Sequence, residues 1–345
     1  MFDYDFVKFR SVTTDIETSD AFIDFEKSRL INFGIDYLDD ALVGISPNDL
    51  ILIGGRSGAG KTELALAIAY QSAMQKKNTY YFALEAEKGE LGMRLMYKRL
   101  TTNFYEMLKK EKSFSVMPVT YDRWVTGKLS QDFYGKSQNI LSQLDDLSHL
   151  KIRYSNSDYS IDNFLADVEQ IKDNAQLVVL DHLHYFDLND SENENAQYKK
   201  IVKSIRSQCL DNNIPVILVS HIRKADPRMT MFVPEQEDFH GSSDIVKIAT
   251  KAITIGGGGG KAVIMPDGTD YSPIGYVSFM KAVKHRRNGS ATHKMAVTVF
   301  DNKINAYAKG YYLGCPAYDK DNKRMVFQVE ESKFNPNWAE RAARC

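Results

Sequence analysis

The stretch Gly55 to Thr62, GRSGAGKT, constrains this chain more than any other. It fits G-x-x-x-x-G-K-[ST], a phosphate-binding loop, when a strand precedes it and a helix follows. Both flanks comply. Asp49 to Gly54 is a short apolar run that reads as a buried strand, and Glu63 to Gln71 has the Ala and Leu content of a helix. Backbone N–H groups and the helix N-terminus then converge on an anion. The pattern assigns Gly55, Arg56, Ser57, Gly58, Ala59, Gly60, Lys61, Thr62 and Glu63 to a nucleotide cradle for ATP. Lys61 would reach the β- and γ-phosphates and the Thr62 hydroxyl would ligate Mg²⁺. A glycine-rich turn that only redirects the chain is the bland alternative; Lys-Thr in register and two correct flanks argue against it.

Composition narrows the class without naming a function. At 345 residues the chain has room for one large domain or two smaller ones. A formal net charge of −1 gives no global basic footprint, so any nucleic-acid contact must come from a local stripe. Cys209, Cys315 and Cys345 lie far apart and fit no metal spacing. That usage predicts a reducing, cytoplasmic compartment. No apolar run approaches a membrane span, and the N-terminus lacks a signal pattern.

Three further strand ends carry chemistry. Thr79 to Leu84 reads as an aromatic-rich strand that delivers Glu85 to the ligand crevice of an open α/β sheet, where a carboxylate can polarise the attacking water. Leu177 to Leu180 is a continuous apolar run ending in Asp181, the Walker B pattern, so Asp181 is expected to hold Mg²⁺ through water. Pro215 to Ser220 reads as the next strand and places His221 where a γ-phosphate sensor could sit; a merely structural histidine is the alternative there. Residues 222 to 240 form a long polar stretch whose Arg223, Lys224 and Arg228 make a local positive stripe, or a solvated surface loop. Tyr276 to Val283 alternates as an outer strand, turns through the basic tip Lys284 to Gly289, and returns over Lys294 to Phe300. The tail beyond Asp301 shows no motif.

Taken in order, these stretches resemble one family. The set is the phosphate loop, ALEAEKGELGMRL from Ala83, LVVLDHLHYF from Leu177, the segment Glu192 to Val216, VILVSHIRK from Val216 and HGSSDI from His240, with a weaker likeness over Arg123 to Leu150. The chain resembles the motor domain of replicative hexameric DNA helicases of the DnaB type, including phage and mitochondrial relatives, over about residues 30 to 300. The resemblance implies an α/β, RecA-like P-loop NTPase core with a central, mostly parallel sheet flanked by helices and antiparallel strands toward the C-terminus. It divides the chain into an N-terminal arm (1–28), an ATPase/helicase domain (29–305) and a C-terminal extension (306–345).

The implied activity is ATP hydrolysis driving a 5′–3′ helicase on single-stranded DNA, within a homo-oligomer, most simply a hexamer, with a separate primase or loader as partner. Glu85 inherits the catalytic role and His221 the sensor role, and Arg223, Lys224 and Arg228 fall in a DNA-contacting loop. The basic hairpin implies an arginine finger that reaches a neighbour's nucleotide. The tip has one residue more than the family pattern, so Lys284, Arg286 and Arg287 compete for that role, with Arg286 favoured. A RecA-like recombinase or mediator, and a regulatory ATPase that holds another protein without unwinding, are the alternative functions.

Overall fold

The computed structural model describes residues 30–111, 121–128, 144–155, 159–189, 191–222, 233–239, 243–257, 263–264, 270–271, 276–287, 294–301, 306–307 and 309–333. In chain order the helices are α1 (Asp36–Leu42), α2 (Lys61–Met74), α3 (Glu90–Glu111), α4 (Tyr121–Val125), α5 (Ile161–Ile171), α6 (Glu194–Asn212) and α7 (Ser243–Ile248). The strands that build the site are β1 (Leu50–Gly55), β2 (Thr79–Ala83), β3 (Leu150–Tyr154), β4 (Leu177–Asp181), β5 (Val216–His221) and β6 (Lys251–Gly257). They lie in the order β3-β2-β4-β5-β1-β6, all parallel. Short β7 (Val263–Ile264) and β8 (Asp270–Tyr271) precede β9 (Tyr276–His285), β10 (Met295–Asp301), β11 (Ala306–Tyr307), β12 (Tyr312–Asp319) and β13 (Arg324–Ser332). From β6 the sheet continues antiparallel through β9, β10, β12 and β13.

Why the central strands are apolar throughout is visible in how their side chains divide. Ile51 and Ile53 of β1, Val179 of β4, and Ile217 and Val219 of β5 pack on one face with Leu64, Ala65 and Ile68 of α2. Leu50 and Leu52, Val178 and Leu180, and Val216 and Leu218 pack on the other with Phe164 of α5 and Ile201 and Ile205 of α6. A strand covered by helices on both faces has no solvated side, so its sequence is continuous rather than alternating. Ser160 caps α5, its side chain accepting from the Asn163 amide. Among the described residues no helix is long and apolar enough to cross a membrane.

Two expectations change. Tyr276 to Val283 is not an outer strand. β9 lies between β6 and β10, and Ser278, Phe279, Met280, Ala282 and Val283 are all buried. The stretch past Asp301, without a readable motif, supplies β12 and β13, whose Tyr312, Phe327 and Val329 close a third apolar cluster with Phe279, Val297 and Val299.

One buried ion pair fixes the start of the central strands. Lys251 Nζ lies 2.7 Å from Asp49 Oδ2, with the two side chains 2% and 4% exposed. The Thr250 hydroxyl donates to Asp49 Oδ1 at 2.8 Å, the Ser46 amide donates to Oδ2, and Lys251 also donates to the Gly44 carbonyl. Both carboxylate oxygens and the ammonium are therefore hydrogen-bonded, as a buried pair requires. Lys251→Met should destabilise the fold by about 3–5 kcal/mol, because it strands the Asp49 carboxylate. Urea unfolding of the variant against the wild type measures this.

Candidate functional site

The loop after β1 leaves the sheet through a close approach. A Cβ on Gly55 would stand 2.8 Å from Ile255 Cγ2 and 2.9 Å from the Ile255 carbonyl, so only glycine fits there. Gly60, at φ +92°, takes the left-handed conformation that begins α2. No side chain caps this helix start, so its first N–H groups face the loop. Arg56, Ser57 and Gly58 are exposed, Ala59 is buried, and Gly60 and Thr62 are half-buried. The Lys61 ammonium, 7% exposed, donates to the Arg56 carbonyl at 3.1 Å across the curve of the loop. Burial lowers its pKa, while the Asp181 and Glu85 carboxylates oppose that shift. Glu63 is engaged elsewhere: its carboxylate pairs with Arg94 of α3 at 3.2 Å, bracing α2 from behind.

The neighbouring strands deliver the rest at the same edge. In the register, Gly55 stands opposite His221 and Ala83 opposite Asp181. The carboxyl ends of β2, β4, β5 and β1 thus bring Glu85, Asp181, His221 and the loop together in one row. Asp181 is 3% exposed and accepts from the Tyr81 hydroxyl on Oδ2 at 2.8 Å. Burial raises the Asp181 pKa, and the Tyr81 and Thr62 hydroxyls pull it back. Among the described residues nothing bonds Asp181 Oδ1, although it is buried. An orphaned carboxylate oxygen near Lys61 and the Thr62 hydroxyl is a donor set of hard oxygens, which fits Mg²⁺.

Glu85 has a half-exposed side chain, and its Oε2 lies 3.1 Å from His182 Nε2. His182, 2% exposed, lies in turn 3.1 Å from His221 Nε2. Burial, and then the charges of His221, His184 and Lys61, hold His182 neutral, its pKa lowered to about 3. Tyr81 and His182 carry no role in the sequence reading. The signal for His182 was its place in the LDHLHYF exit; Tyr81 lay hidden in an ordinary strand pattern.

The three candidate finger residues lie at the opposite end of the sheet. Lys251 pairs with His285, and β6 runs parallel to β1, so the β9 terminus sits beside the start of β1, not beside Gly55. The six residues of β1 separate the two ends by about 16 Å at the usual rise per residue. Lys284 donates to the Val246 and Lys247 carbonyls at the end of α7. Arg287 donates to the Ser46 hydroxyl at 3.0 Å. Arg286 is exposed, and its guanidinium bonds no described residue. It borders a cavity of about 190 Å³ together with Arg206, Lys251 and Arg287. Arg223, Lys224 and Arg228 lie outside the described residues.

The description "DnaB-like helicase C terminal domain" belongs to the family whose pattern matches residues 31–256. The replicative DNA helicase DnaB of Rickettsia prowazekii (strain Madrid E) is 27% identical over 205 residues, covering 56% of this chain and 39% of that protein. That of Geobacillus stearothermophilus is 24% identical over 218 residues, covering 61% and 44%. The chain thus spans roughly two-fifths of the relatives it matches. Among solved structures, an isolated ATPase domain superposes with a TM-score of 0.69 at 15% identity, covering 87% of this chain and 99% of that one. A DnaB-like replicative helicase, solved in work on its interactions with primase, superposes at 0.67 with 16% identity, covering 87% and 67%. Both share the RecA-like fold.

Tyr81→Phe keeps the ring and removes only the hydroxyl that holds Asp181 Oδ2. It should cost about 1–3 kcal/mol, the size of leaving a buried acceptor unpaired, in thermal or urea unfolding at neutral pH.

Proposed function

The chain belongs to the DnaB-like helicase C-terminal domain family, and from that premise we propose that it is an ATP-hydrolysing DNA motor whose active sites form between copies. One observation carries this reading: the phosphate loop and the exposed Arg286 sit at opposite ends of one sheet. Neither can serve the other within a chain, and in this reading a second copy brings the arginine to the loop.

In this reading the N–H groups of Ser57 to Thr62 and the Lys61 ammonium bind the β- and γ-phosphates, and Lys61 exchanges its bond to the Arg56 carbonyl for one to phosphate. The Thr62 hydroxyl and Asp181 Oδ1 would hold Mg²⁺, which neutralises phosphate charge when bound. Glu85 orients a water against the γ-phosphate and accepts its proton; its exposure gives that water access. His221, opposite Gly55, contacts the γ-phosphate and reports its loss. Arg286 of a neighbouring copy stabilises the charge on the transferred phosphoryl group. The substrate strand is single-stranded DNA in the centre of a hexamer, bound largely without regard to sequence and weakened by salt. A separate primase or loader remains part of the proposal.

Two measurements test it. ATP turnover of the wild type should rise on adding single-stranded DNA, and Glu85→Gln should lose about a hundredfold or more with or without DNA. A Glu85→Gln variant that turns over normally would remove the assignment. Arg286→Ala and Lys61→Ala should each be inactive alone, the former down by about a thousandfold. Mixed together they should regain part of the activity, because the intact loop of an Arg286→Ala copy can meet the intact arginine of a Lys61→Ala copy. No recovery on mixing refutes the shared site.

A further inference from the structure

The site contains a residue with no role in the reaction so far. His182 stands between Glu85 and His221, at the exit of β4, the strand between those that deliver the other two. Its two ring nitrogens are differently committed. The His184 amide donates to His182 Nδ1 at 3.2 Å, so Nδ1 carries a lone pair. The hydrogen of this neutral ring is therefore on Nε2, an assignment fixed by the backbone donor.

That proton faces two acceptors at the same distance. Glu85 Oε2 and His221 Nε2 each lie 3.1 Å away. One N–H cannot be given fully to both. We propose that His182 is a positioning residue that hands its single Nε2 hydrogen to His221 when no nucleotide is bound and to Glu85 when a phosphate engages His221. The phosphate is engaged by His221 Nε2, the atom that faces His182, so that nitrogen must then carry the hydrogen and can no longer accept from His182. The freed N–H then ties down Glu85 Oε2 and leaves Oε1 to take the proton of water. Among the described residues the side chain paired with the half-exposed Glu85 carboxylate is that of His182.

The same three groups could be taken for a transition-metal site, since their ligand atoms lie within 4.8 Å of one another. The His184 amide argues against it. A metal needs the lone pair on His182 Nε2, and that would put a hydrogen on Nδ1 facing the amide hydrogen.

The inference rests on the ATP-hydrolysing reading above, and its test separates the two. Steady-state ATP turnover with Mg²⁺ and oligothymidylate is measured for the wild type, His182→Leu and His182→Gln. Glutamine keeps an N–H near the Nε2 position; leucine does not. His182→Leu should lose about tenfold or more in kcat with KM for ATP nearly unchanged, and His182→Gln should recover most of it. Equal losses in both variants, or no loss in His182→Leu, overturn the proposal. Independently, ¹⁵N-histidine NMR of the nucleotide-free full chain should find His182 Nδ1 without hydrogen. A hydrogen on Nδ1, or equimolar Zn²⁺ shifting the Nε2 signals of both His182 and His221, also overturns it. A wild type that does not hydrolyse ATP removes the parent reading, while the nitrogen measurement still decides where the His182 hydrogen lies.

Discussion

A strand covered on both faces leaves a polar side chain nowhere to go except its end. The central parallel strands run through apolar surroundings, and β1, β4 and β5 are buried at almost every position. Their polar groups collect where the backbone leaves the sheet: Asp181 and His182 after β4, His221 closing β5, and the phosphate loop after β1. Burial at those ends is what gives the groups their character. It raises the Asp181 carboxyl, lowers the Lys61 ammonium and keeps His182 uncharged. The site is a consequence of how the core is packed, not an ornament added to it.

The other end of the sheet solves the opposite problem. There the strands begin, and Asp49, Thr250 and Lys251 tie the starts of β1 and β6 together with a fully satisfied ion pair. Such a pair adds little net stability but is costly to break by removing one partner. Glu63 of α2 pairs with Arg94 of α3. The strand starts are tied by paired charge, while at the strand ends Asp181 Oδ1 has no partner among the described residues.

Much of this was legible in the residues, and what was not has physical causes. The loop, Glu85, Asp181 and His221 could be read because a continuous apolar run ending in a polar residue is a local pattern. β9 misled because Lys281 and Lys284 look like solvent-facing charges. In the fold Lys281 pairs with Glu235 at 2.6 Å and Lys284 closes the end of α7, so both are consumed inside the protein. The β12–β13 pair escaped notice because Pro316 and charged termini interrupt its pattern. Tyr81 could not be found at all from sequence. Its hydroxyl meets Asp181 only because β2 pairs with β4 so that Tyr81 faces Val179, with Asp181 the diagonal neighbour two positions on. That register links residues a hundred positions apart.

The separation of the loop from Arg286 has a geometric outcome. A contact joining the front of one subunit to the back of the next is heterologous, so it carries a direction and cannot be satisfied by a two-fold pair. If, as proposed, the loop of one copy meets Arg286 of the next, a closed assembly has as many complete centres as subunits, whereas an open chain leaves one loop and one arginine unmatched at its termini.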